Sequence, residues 1–136
     1  MSTDAPIRPA VPFAGTHLLI ECFGAHANLD APTLEGLLKD SAQAGGATVL
    51  SCHLHGFGKG GGVTGVALLA ESHITVHTWP ERGYAAFDVF MCGNCEAMHA
   101  ARVIEQAVPG AVVEIHMVDR PRRAGRGVPL GSGGQP

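Results

Sequence analysis

The sequence predicts an α+β fold: a two-layer α/β sandwich in which a mostly antiparallel sheet carries two helices on one face. Three observations lead there. Six short strand-like runs and two helical ones follow the order β-α-β-β-β-β-α-β. Several neighbouring strands are joined by links too short for a parallel crossover, so they pair antiparallel. Two helices with one apolar stripe each need a shared face to bury it, and one side of a sheet supplies it. At 136 residues the chain makes one domain.

Met1 to Ala14 carries three prolines and little pattern, and is expected to be a flexible tail. His17 to Phe23 is an apolar run containing Leu18, Leu19 and Ile20, and reads as a strand. Thr33 to Ala44 places Leu34, Leu37 and Leu38 at helical spacing, with Pro32 before it and Gly45-Gly46 after it as start and stop signals. Ala47 to Leu54 reads as the second strand. Gly56 to Gly62 holds five glycines and is a turning loop. Val63 to Leu69, His73 to Thr78 and Ala85 to Met91 read as three more strands. Asn94 is a candidate cap for a helix from Cys95 to Ala107, which Pro109-Gly110 ends. Ala111 to Val118 alternates like a final strand. Arg120 to Pro136, rich in Arg, Gly and Pro, reads as a second tail, so the domain proper covers residues 15–119.

Composition narrows the function. A net charge of −3 leaves no basic footprint for nucleic acid. Charged residues make up 15%, against about 25% in typical proteins, and a second copy of the chain covering part of the surface would account for that. The longest uninterrupted apolar run, Val66 to Ala70, is far below the roughly 20 residues that span a bilayer, and Met1 to Pro12 has no apolar signal core. A cytoplasmic location with reduced cysteines is the expectation. Lys39 and Lys59 are the two lysines, and neither lies in a convincing site for pyridoxal phosphate, which needs a lysine.

The reactive groups concentrate between residues 71 and 92. Glu71-Ser72 stands at the mouth of the fourth strand. Along that strand Ile74 and Val76 point one way, toward the helices, while His73, Thr75 and His77 point to the open face of the sheet. The single tryptophan, Trp79, closes the run, and Pro80 with Gly83 turns the chain. A hairpin centred near Arg82 pairs residues whose numbers sum to about 164, which sets Cys92 across from Ser72. Taken singly these residues have ordinary readings: Ser72 as a turn serine, His73 and His77 as surface histidines, Trp79 as a hairpin-end packing residue. Cys92 and Cys95 form one Cys-x-x-Cys, the spacing of redox and zinc sites. No second pair at finger spacing exists, so no metal is expected, and Cys95 reads more simply as the opening of a helix.

The continuous run Glu71-Ser72-His73-Ile74-Thr75-Val76-His77-Thr78-Trp79-Pro80-Glu81, followed by Gly83-Tyr84-Ala85-Ala86, Asp88 and Cys92-Gly93, closely resembles the prokaryotic S-adenosylmethionine decarboxylase proenzymes. Upstream Gly62-Val63-Thr64-Gly65 also fits, and the resemblance covers about Thr16 to Met117. It implies a self-processing, pyruvoyl-dependent decarboxylase serving spermidine synthesis. Ser72 would attack the Glu71 carbonyl and turn the amide into an ester, with His77 matching the residue that assists removal of the α-proton. Elimination would divide the chain into a β piece, residues 1–71, and an α piece, residues 72–136. Hydrolysis with loss of ammonia would leave a pyruvoyl group where Ser72 stood. Serine is required because its oxygen is first nucleophile and then leaving group. The pyruvoyl ketone would form a Schiff base with the substrate amine, which explains how a lysine-poor chain decarboxylates. Cys92 matches the proton donor to the resulting carbanion.

The resemblance further implies S-adenosylmethionine as substrate, with Phe57 and Trp79 offering aromatic faces to its sulfonium and adenine and Glu81 accepting from ribose hydroxyls. It implies a homodimer with active sites at the subunit interface. Two departures stand out. Thr64 occupies a position where the family often has serine, which keeps the processing hydroxyl and adds a methyl group. The loop from His55 to Gly62 is also richer in glycine than the family pattern. Relatives with the same chemistry act on arginine or ornithine, and an inactive regulatory paralogue is the reading from a different class.

Overall fold

Alternating burial along each strand organises the molecule. In the computed structural model, which describes residues 12–122, the strands are β1 (Gly15–Phe23), β2 (Val49–Gly56), β3 (Val63–Leu69), β4 (Ser72–Trp79), β5 (Tyr84–Cys92) and β6 (Val112–Arg120). The helices are α1 (Ala31–Ala44) and α2 (Ala97–Gln106). The strands form one sheet in the order β2-β3-β4-β5-β1-β6, antiparallel at every pairing. One side of each strand enters the core: Leu18 and Ile20 of β1, Ile74 and Val76 of β4, Phe87 and Val89 of β5. They meet Leu34 and Leu38 of α1 and Ala100, Ala101 and Ile104 of α2. Each large side chain so buried contributes about 1.5–3 kcal/mol. The two-layer sandwich is the fold the periodicity predicts. No helix among the described residues is long and apolar enough to cross a membrane.

Element ends differ from the sequence reading for local reasons. Helix α1 starts two residues earlier than predicted, because Asp30 is its cap and accepts a 2.9 Å bond from the Thr33 amide. Pro32 thus lies inside the first turn, where its missing N–H would have had no partner anyway. Helix α2 starts two residues later than predicted, and Asn94 does not cap it. Glu96 donates its amide to Gly45 O at 2.8 Å, which holds the chain extended up to Glu96, the N-cap position. At the other end of the chain, Ala14 donates to Arg120 O at 2.8 Å, so the sheet includes Arg120. Of the two predicted tails, residues 1–11 and 123–136 lie outside the described residues.

The β4–β5 hairpin pairs Trp79 with Tyr84 and His73 with Phe90, a sum of 163 instead of 164. Four residues, Pro80 to Gly83, form the connection, and Gly83 closes it at φ 60°. The pivot therefore falls between Glu81 and Arg82, half a residue earlier than the symmetric guess.

Among the described residues, no helix lies over the second face of the sheet. Its middle carries a polar network. Arg120 Nη1 donates to His17 Nδ1 at 3.3 Å, and His17 Nε2 in turn faces Asp88 Oδ2 at 3.4 Å. The Arg120 guanidinium also lies 5.6 Å from the centre of the Phe90 ring. His73 sits beside this group, and burial followed by repulsion from His17 pushes its pKa down.

Candidate functional site

The reactive residues fall into two clusters at opposite ends of β4. The first is built on the two-residue turn between β3 and β4, where Leu69 pairs with Ser72. The Ala70 amide anchors that turn to Thr48 O at 3.1 Å. Glu71, its second residue, has φ 61°, the one left-handed non-glycine backbone among the described residues. That conformation costs an L-residue about 1–2 kcal/mol. Strain is therefore held in the backbone of Glu71, next to its peptide bond with Ser72.

Cys92, at the end of β5, reaches into this turn. Its thiol donates to the Glu71 carbonyl oxygen at 3.2 Å and lies 3.6 Å from Ser72 Oγ. The Glu71 carboxylate is also near, at 3.7 Å. Ser72 and Cys92 meet despite the shifted register, because the ladder between β4 and β5 begins only at His73 and leaves Ser72 free to lean toward the thiol.

The second cluster lies around Thr64 and His77, cross-strand partners on β3 and β4. Thr64 Oγ1 and His77 Nδ1 are 3.2 Å apart. The His77 ring lies 6.0 Å from Trp79, which stacks on Tyr84 at 5.2 Å and 14°. A cavity of about 450 Å³ opens here, lined by Phe57, Gly60 to Gly62, Thr64, His77, Thr78, Trp79 and Glu81. All three residues assigned to substrate contact from the sequence, Phe57, Trp79 and Glu81, line this one space, together with Thr64 and His77. Phe57 is 62% exposed and packs edge-on to His55 at 4.6 Å.

Gly62 holds the cavity wall. A methyl group there would overlap the Thr78 carbonyl oxygen and press on Thr78 Oγ1. The same hydroxyl accepts the Val63 amide at 2.8 Å. Gly62→Ala is expected to lower stability by about 1–3 kcal/mol in urea melts, the usual range for overpacking, and to raise KM as the loop moves off the cavity.

What the structure does not bring together within one chain is Ser72 and His77. They lie five residues apart on one extended strand, roughly 16 Å.

Sequence reasoning missed Tyr84 and Glu21. The Tyr84 hydroxyl donates to Glu21 Oε1, and this bond, reinforced by burial, pushes the phenol pKa up to about 12. Phe23 stacks on the other face of Tyr84 at 5.6 Å, so Trp79, Tyr84 and Phe23 form a continuous aromatic ladder on the open face. The alternation of β1, with Glu21 and Phe23 on the side opposite Ile20 and Cys22, was the signal that points to it.

Comparison with known proteins gives a consistent set of likenesses. The family model described as S-adenosylmethionine decarboxylase matches residues 16–121. The S-adenosylmethionine decarboxylase proenzyme of Methanococcus maripaludis strain C7 is 48% identical over 87 residues, covering 62% of this chain and 70% of the relative. The proenzyme of the same name from Prochlorococcus marinus strain MIT 9313 is 40% identical over 115 residues, covering 72% and 91%. Among solved structures, the adenosylmethionine decarboxylase from Aquifex aeolicus superposes with a TM-score of 0.60 at 30% identity, covering 78% of this chain and 91% of that one.

Proposed function

Since the chain belongs to the S-adenosylmethionine decarboxylase family, we propose that it works through a pyruvoyl group made from its own Ser72, in a site completed by a second copy of the chain. It is a carboxy-lyase acting on S-adenosylmethionine, and the names of its relatives do not favour arginine or ornithine. The residues at Ser72 suit the group. The peptide unit to be cut lies where a tight turn enters β4, and the left-handed backbone of Glu71 is relieved when the chain opens there. The pairing of β4 with β3 keeps the new chain end beside Cys92.

Processing begins when Ser72 Oγ attacks the Glu71 carbonyl carbon. The C–N bond gives way to an ester, and the thiol of Cys92 is in place to donate to the carbonyl oxygen as it gains charge. His77, oriented by Thr64 through its Nδ1, takes the α-proton of residue 72, and the ester carboxylate of Glu71 leaves. Hydrolysis of the dehydroalanine end releases ammonia. The pyruvoyl group supplies an electron-accepting carbonyl at that end. Cys92 returns a proton to the substrate carbon after carbon dioxide departs. Phe57 and Trp79 offer their faces to the sulfonium and adenine, and Glu81 accepts from the ribose hydroxyls.

The observation that carries the dimer is the separation of the two clusters. Ser72, Glu71 and Cys92 lie at one end of β4, and Thr64, His77 and the substrate cavity lie at the other, roughly 16 Å along the strand. No rotamer of His77 closes that gap. In such a dimer a two-fold axis through the middle of the open face would set each cluster against the opposite one of the partner. Exposed Leu68, Phe23 and Val112 on this face would be covered by the same contact.

Co-expression tests the reading. Ser72→Ala and His77→Ala homodimers are each expected to remain uncut and inactive. In mixed dimers the His77→Ala chain keeps its serine and receives a histidine from its partner, so that chain should be cut and activity should return. A site contained within one chain gives no rescue, and that result would sink the shared-site reading.

A further inference from the structure

Cys95 has no part in the chemistry above, yet its backbone is bonded to that of Cys92, whose thiol does. We propose that Cys92 and Cys95 form a reversible disulfide that switches decarboxylation off under peroxide. This rests on the proton-donor role of Cys92.

The geometry is that of a closed turn. Cys95 donates its amide to Cys92 O at 3.2 Å, with Gly93 at a corner of φ 64° and Asn94 beside it. A hydrogen-bonded four-residue turn keeps its outer Cα atoms within about 7 Å, and disulfides span Cα separations of about 4.4–6.8 Å. Both thiols are half-buried and open to a small oxidant. Neither is held firmly. The Cys95 thiol donates to Gly46 O over a long 3.6 Å, and Cys92 makes the weak contacts to the turn already described.

The other thiols are excluded by position. Cys22 is buried beneath the sheet opposite Ala85, seven residues along β5 from Cys92, roughly 23 Å. Its own burial pushes its pKa up to about 12, which keeps it unreactive. Cys52 lies on β2, three strands away from β5, roughly 14 Å.

The reaction balances with hydrogen peroxide as oxidant. Peroxide transfers one oxygen to the Cys92 sulfur, giving a sulfenic acid and one water. The Cys95 thiolate attacks that sulfur, an S–S bond forms, and the sulfenic oxygen leaves as a second water. The two cysteines lose two electrons and two protons together. The disulfide removes the proton donor without permanent damage, whereas an unpartnered sulfenic acid goes on to the irreversible sulfinic acid under excess peroxide.

The test uses the processed full-length enzyme and its Cys95→Ser variant, which in reducing buffer should turn over like the parent. After peroxide, the parent should lose roughly 100-fold in kcat, show a loss of two mass units confined to the peptide holding residues 92 and 95, and regain activity with dithiothreitol. Cys95→Ser should lose activity and not regain it, with Cys92 found as sulfinic acid. A parent peptide that gains oxygen instead of losing two hydrogens overturns the proposal, as does a variant that recovers like the parent. A disulfide that forms with activity intact would remove Cys92 from the proton-donor role and the switch with it. The mass reading stands apart from activity, so the two failures are told apart.

Discussion

Ser72→Ala is expected to yield one uncut chain of 14.0 kDa with decarboxylation at background, where the parent yields two pieces divided between Glu71 and Ser72. The reason lies in a single oxygen. Without Oγ there is no nucleophile for the Glu71 carbonyl, no ester, and no leaving group for the elimination that follows. The surroundings are unchanged by the loss of one atom from a half-buried position, so the fold should persist. Intact-mass measurement under denaturing conditions reads the cut directly. Release of carbon dioxide from carboxyl-labelled S-adenosylmethionine reads its consequence. A parent chain that stays whole, or a variant that is still cut, would overturn self-processing at this bond.

Cys92→Ala carries the second large effect. With turnover expressed per cut chain, kcat should fall by about 10²–10⁴-fold, the usual loss for a positioned proton donor, while KM stays near the parent value. Expressing the rate this way matters because the same thiol donates to the Glu71 carbonyl before the cut. Slower cutting would otherwise be counted as slower catalysis. A kcat within tenfold of the parent would assign the proton to another group.

Much of this architecture was legible because strand periodicity is local. Ile74 and Val76 alternate with His73, Thr75 and His77, and that pattern alone separates core from open face. The start of α2 was not legible, since it depends on Gly45 O, a carbonyl some fifty residues away in sequence. The hairpin register missed by half a residue at its pivot because turn length is decided by backbone angles at Gly83 that composition does not specify. The site shows the same division. The run from Glu71 to Trp79 reads as a crowd of reactive groups when written as letters. Laid out at the strand rise it becomes two clusters too far apart to cooperate in one chain. The strained Glu71 and the aromatic ladder through Tyr84 are tertiary facts, the first set by a tight turn and the second by pairing across β1, β4 and β5.

The position of β1 in the sheet has a bearing on what the proposed cut between Glu71 and Ser72 would do to the molecule. The first piece would carry β1, α1, β2 and β3, and the second β4, β5, α2 and β6. In the sheet β1 lies between β5 and β6, so a strand of the first piece is dovetailed between two strands of the second. The pieces cannot slide apart without opening a ladder on each side of β1 and a third between β3 and β4. The proposed cut would therefore change connectivity and leave these ladders in place. The proposed cut would also alter the route back from denaturation: the uncut precursor regains all three ladders within one chain, while the two pieces must first find each other.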